Sequence, residues 1–168
     1  MALPGERLLI GAMLNEVETG EDFDRIPPHM TQVRWFNLQE NRRFRLLGAM
    51  HRLFDDQPAS VLNETEKEPI TVGVLSLLGK GFDRVLVREL EGVSTAHHFA
   101  LHALVKSLGS FDDEDPFADR FNPHITRTKG LKLRRDEPVS FSSVAVISAQ
   151  EGVPGYRVLD NYPLGQES

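Results

Sequence analysis

Pro28-His29-Met30-Thr31 and Pro123-His124-Ile125-Thr126 repeat one pattern, proline–histidine–apolar–threonine, in a chain that holds only six histidines. Proline and histidine are both uncommon residues, so chance recurrence is a poor account of the pair. In an extended strand successive side chains alternate between faces. His29 and Thr31 therefore share one face while Met30 takes the other, and His124, Thr126 and Ile125 divide in the same way. Each tetrad offers an imidazole beside a hydroxyl, anchored from behind by an apolar side chain.

Two imidazoles that face one reacting centre form a general acid–base pair near neutral pH. The neutral ring takes a proton from the attacking oxygen, and the protonated ring gives one to the leaving oxygen. Two threonine hydroxyls beside them are suited to the non-bridging oxygens of a phosphate. Phosphodiester cleavage fits this set, and it requires no metal or other cofactor. The two tetrads are accordingly expected to build one shared site, with His29 and His124 catalytic and Thr31 and Thr126 binding phosphate. The near-symmetry of the tetrads leaves open which histidine is acid and which is base.

Several elements must position these residues. Residues 6–14 are apolar-rich and read as a buried strand. A polar link leads to the first tetrad, and "TQVRWF" continues it as a strand. From Asn41 to Phe54 the residues Leu46, Leu47, Met50, Leu53 and Phe54 recur at helical spacing, with Arg42, Arg45 and Arg52 on the wet side. "ITVGVLSLLG" and "RVLVREL" read as two strands around a glycine-bearing turn. "STAHHFALHALVKSLGS" reads as a second helix, capped by Ser94 or Thr95 and closed by Gly109. The second tetrad then follows an acidic loop, and "PVSFSSVAVISAQ" and "GYRVLDNYPL" are the last two strands. Strands, one helix and one tetrad in each half predict an α+β domain of two related lobes with a cleft between them.

Length and composition agree with a single domain over residues 1–168. The absence of cysteine excludes disulfides, thiolate zinc sites and a cysteine nucleophile, and fits a cytoplasmic chain. The N-terminus lacks the basic region of a secretory signal, and no apolar run is long enough to span a membrane. A formal net charge of −6 argues against a long nonspecific grip on nucleic acid, so a phosphate-bearing partner is caught locally or is small. Nothing in the sequence demands an oligomer, and a monomer is expected.

The tetrads resemble the paired His-x-Thr signatures of the two-histidine (2H) phosphoesterase superfamily, the group of 2′-5′ RNA ligase-like proteins and RNA cyclic phosphodiesterases. The resemblance extends to "SLLGKGFDRVLVREL" followed by a helix and "FNPHIT", and to the closing "GYRVLDNYPLG". It implies a bilobal fold, with two pseudo-symmetric lobes of antiparallel sheet around a central cleft and helices outside. It also implies catalysis by His29 and His124 and phosphate binding by Thr31 and Thr126. The implied substrates are nucleotides or RNA termini with a 2′,3′-cyclic phosphate or a 2′-5′ linkage, or other cyclic phosphodiesters of nucleotides. Opening of a cyclic end to a 2′-phosphate, with RNA joining in reverse, is the leading expectation. A non-catalytic nucleotide- or RNA-end-binding module and an enzyme of cyclic signalling nucleotides remain as alternatives.

Other residues carry weaker readings. Trp35 shares a face with His29 and Thr31 on strand alternation and is a candidate for stacking a base, as are Phe82 and Tyr156. His98 and His102 lie four apart on a helix, a metal-ligand spacing, but no third ligand is evident and surface histidines are expected. Arg127 points away from Thr126 on a regular strand and is expected to be structural. The run Asp112, Asp113, Glu114, Asp115 reads as a solvated loop.

Overall fold

A computed structural model describes residues 6–55, 62–63, 68–78, 85–111, 121–128 and 130–164. Its strands are β1 (Glu6–Met13), β2 (Asp22–Phe23), β3 (His29–Phe36), β4 (Ile70–Leu78), β5 (Val85–Glu91), β6 (His124–Thr126), β7 (Pro138–Val139), β8 (Ser143–Gln150) and β9 (Tyr156–Pro163). The helices are α1 (Glu40–Asp55), between β3 and β4, and α2 (Thr95–Leu108), between β5 and β6. All nine strands join one sheet in the order β2-β9-β8-β1-β3-β6-β5-β4-β7, and every neighbouring pair is antiparallel. The fold is α+β.

The sheet has two sides that meet at the β3–β6 seam. One side combines the start and the end of the chain (β1, β2, β3, β8, β9), and the other holds its middle (β4 to β7). The spatial division therefore differs from the division into sequence halves. β8 and β9 lie late in the chain but return to pair beside β1.

Helix and strand periodicities account for the packing. On α1, Leu46 and Met50 are fully buried while Arg42, Arg45 and Arg52 stay exposed. On α2, Leu101 and Val105 are buried, Ser94 accepts from the His97 N–H, and Gly109 N–H closes the helix on Val105 O. These helices share one core with Leu8, Ile10 and Ala12 of β1, Met30 of β3, Ile125 of β6, and Val144 and Val146 of β8. The alternate residues Met13, Ala145 and Ile147 face the other way, into a smaller core with Val17 and Val158. Met30 and Ile125 are register partners and both wholly buried. Each such side chain contributes roughly 1.5–3 kcal/mol by leaving water.

Two expectations about the chain path change. The stretch 138–150, expected as one strand, divides: β7 pairs with β4 at one edge, while β8 pairs with β1 and β9. Phe141 between them packs into the main core, and Ser142 bonds Met13 O through its N–H. Four residue steps from Val139 to Ser143 reach at most about 14 Å. A flat sheet would hold β7 and β8 six strand spacings apart, about 29 Å. The sheet is therefore strongly curled. The second change concerns the polar link of residues 15–28, which carries the short strand β2. It is tied down by Gly20 N–H to Val158 O, Val158 N–H to Glu21 O, Asn161 Nδ2 to Val17 O, and the Asp22–Arg157 pair.

No helix among the described residues is long and apolar enough to cross a membrane. Phe82 and the acidic run Asp112–Asp115 lie outside the described residues.

Candidate active site on the β3–β6 seam

Antiparallel pairing of Met30 with Ile125 sets His29 opposite Thr126 and Thr31 opposite His124. All four side chains thus stand on one face, with Met30 and Ile125 beneath them in the core. His29 and His124 are diagonal neighbours across two adjacent strands, a relation that separates their Cβ atoms by about 7–8 Å. That gap suits a phosphorus centre between two ring tips.

Both rings are held in the same way. Nδ1 of His29 donates to Pro27 O at 2.9 Å, and Nδ1 of His124 donates to Asn122 O at 2.7 Å. A carbonyl oxygen can only accept, so Nδ1 carries the proton in each neutral ring and Nε2 presents a lone pair. Each acceptor precedes a proline, which biases that residue towards extended backbone and aims its carbonyl. The proline stands just before the strand, where its missing N–H costs the ladder nothing. The motif is thus a self-contained device for fixing a histidine tautomer.

The two rings differ in environment. Burial holds His29 below the ordinary imidazole range; its bond to Pro27 acts the other way, and the charge of His124 adds to the lowering. His29 lies beside Gly11 of β1, where an added Cβ would sit 3.2 Å from the ring's Cδ2. Thr126 at the end of β6 is exposed. Glu89 of β5 is the register partner of His124 and sets a carboxylate on the same face.

The sequence alone does not single out Gly11 or His98 for this role. β3 bulges twice against β1, and its second bulge falls at Gln32, directly after Thr31. His98 of α2 donates Nδ1 to Gln32 O at 2.6 Å and stacks on Phe121 at 4.0 Å and 5°. Phe121 lies three residues before His124, so His98 braces both tetrads from behind. It is 8% exposed, against the expectation of a surface histidine. Burial lowers its proton affinity first, the bond to Gln32 opposes this, and His102 lowers it further. His102 stacks instead on Phe111, at 4.8 Å. Among the described residues no group of three or more His, Cys, Asp or Glu is placed to hold a metal ion. The four-residue spacing was the available signal, but the stacking that gives it meaning is tertiary.

Trp35 and Tyr156 meet each other rather than the histidines. Their rings stack at 6.0 Å, and Arg7 lies 5.5 Å over the Trp35 ring. Trp35 is six residues beyond His29, roughly 20 Å along a regular strand. Both aromatics pack against the smaller core. Tyr156 also lines large openings of about 590 and 670 Å³ at that end of β1. The imidazoles and hydroxyls of the two tetrads line neither opening.

No family model matches the chain, and no curated protein matches it.

Proposed function

We propose that the chain is a phosphodiesterase of the two-histidine type that opens 2′,3′-cyclic phosphate ends to a 2′-phosphate, and that can join 2′-5′ RNA ends in reverse. The observation that carries this reading is the opposition of two imidazole–hydroxyl pairs on adjacent strands, with both Nε2 atoms left free by matching Nδ1 bonds. The two sides of the curled sheet are read as the two lobes of that fold.

His29, whose burial disfavours the charged form, is assigned as the base. Its Nε2 takes a proton from water as the water oxygen attacks phosphorus. His124, protonated, gives its Nε2 proton to the 3′ oxygen as the P–O3′ bond breaks, which leaves the phosphate on the 2′ oxygen. Thr31 and Thr126 donate to the non-bridging oxygens as charge grows there. Solvent then takes the proton from His29 and restores the one on His124. Both proton transfers at the reacting oxygens are made by side chains, so the reading requires no metal.

The test is a product assay by chromatography or phosphorus NMR, with 2′,3′-cyclic nucleotides, RNA bearing a cyclic end, a 2′-5′ dinucleotide and cyclic oligonucleotides, all with chelator present. His29→Ala and His124→Ala are each expected to lower kcat by about 10²–10⁴-fold, the usual worth of a positioned acid or base. Their melting temperatures should stay near wild type. Turnover that survives both substitutions, or that stops only with chelator, would sink the mechanism. Binding of a nucleotide without any product would make the seam a receptor.

A further inference from the structure

Arg88, Arg127, Lys132 and Arg134 line a pocket of about 220 Å³ together with Leu131 and Leu133. It opens on the reverse face of the seam. Arg88 is the register partner of Ile125, so it lies on the face away from the histidines. Arg127 follows Thr126 and continues the ladder through its N–H to Leu86 O at 2.9 Å, so its side chain alternates away from Thr126. One residue step along the chain thus separates the threonine on one face from this guanidinium on the other.

The loop half of the pocket is held in place. Leu131 and Leu133 are half-buried and pack against the main core, which leaves Lys132 and Arg134 projecting between and beyond them. A turn at Gly130, with φ 88°, closes through Leu131 N–H to Thr128 O, and Glu137 accepts the Arg134 N–H at 3.0 Å. Among the described residues no carboxylate lines the pocket. Among the described residues, none of these four cationic side chains forms an ion pair. A solvated basic face spreads its charges or mixes them with acids. Here four cationic residues line one pocket with no acid among its described lining, in a chain whose net charge is −6. Such a cluster repels itself until an anion enters, and guanidinium forks match phosphate oxygens.

We infer that this pocket binds a backbone phosphate of a single-stranded oligonucleotide. Arg127, Lys132 and Arg134 are exposed, which suits a strand laid across the pocket better than an enclosed ion. Its place next to Thr126 suits a strand whose reacting end lies at the histidines. That last link rests on the proposed function, and it makes the substrate an oligonucleotide end rather than a free mononucleotide.

The test is fluorescence anisotropy of a labelled short single-stranded RNA with a cyclic end, measured on a His29→Ala background so that turnover plays no part. Arg88→Gln/Arg134→Gln is expected to bind at least about tenfold more weakly, and the slope of log affinity against log salt should fall by about 0.7 for each phosphate charge no longer neutralised. Lys132→Gln/Arg134→Gln, confined to the exposed loop, should weaken binding in the same direction without touching the sheet. Wild-type affinity and slope in both pairs would overturn the inference. Inorganic phosphate that binds in the parent but not in the variants, with RNA binding unchanged, would make this a free-phosphate site and overturn the strand assignment. Weakened RNA binding in the variants, in a protein that turns over none of the substrates tested above, would support the pocket while removing the catalytic reading.

Discussion

At the scale of single residues, the tetrad sets a tautomer and the surroundings set a proton affinity. The i−2 carbonyl fixes Nδ1–H in both rings, so their difference comes from outside the motif. His29 is half-buried beside Gly11, and its proton affinity is lowered mainly by that burial. Among the described residues, His124 from β6 and Glu89 from β5 beyond it share its face. In the proposed mechanism His29 is the base and must be neutral, so kcat/KM should fall on the acid side with a midpoint below 6.5, the ordinary histidine value. A kcat/KM profile over pH, taken on a substrate that turns over, measures that limb. An acid limb centred above 6.5 would contradict the assignment of His29 as base.

At the scale of elements, β1 makes room and α2 braces. Gly11 faces Thr31 across the β1–β3 ladder, and its missing side chain leaves the space that the His29 ring occupies. Gly11→Ala forces a few tenths of an ångström of movement, because the new Cβ would lie 3.2 Å from the ring. Gly11→Val forces more. Displacement near 1 Å can cost about a hundredfold in rate. Steady-state assays should therefore show a graded loss from glycine to alanine to valine, with KM changing less than kcat. Undiminished turnover in Gly11→Val would mean the ring does not depend on that space. On the far side, the bond from His98 to the bulge at Gln32 joins the helix layer to the strand that carries Thr31. Bulges commonly re-aim a side chain in this way.

At the scale of the whole molecule, α2 carries a second buried histidine with a global consequence. His97 is 5% exposed and packs edge-on against Phe54 of α1 at 5.4 Å; among the described residues neither ring nitrogen has a hydrogen-bond partner. Burial, helped by the charge of His98, pushes it down to about 4. The unfolded chain binds this proton from about pH 6.5, and the folded chain only near 4. Stability from the neutral ring is thus full above about 6.5 and is lost as pH falls towards 4, by about 3 kcal/mol in all. Chemical denaturation across this window should show that slope, and His97→Leu should remove most of it. An unchanged slope in the variant would place the acid sensitivity in other groups.

Much of this was legible in the order of residues. Alternation on β1, β3 and β8 and the stripe of Leu46 and Met50 on α1 follow from periods of two and 3.6, which are local properties. The doubled tetrad, with its proline, imidazole and hydroxyl, was legible for the same reason: the shared face of His29 and Thr31 needs only one strand. What joined the tetrads was the Met30–Ile125 pairing, a meeting of residues nearly a hundred positions apart that no local pattern specifies. Long-range pairing also divided the stretch 138–150 between two sides of a curled sheet and drew Trp35 to Tyr156. It buried His98 and gathered four cations behind Thr126. Residue order alone carries the types and spacing of the side chains and, for a regular strand, the face that each occupies. Which of them meet is settled in three dimensions, because strand register and burial are set by the packing of the whole sheet against its core.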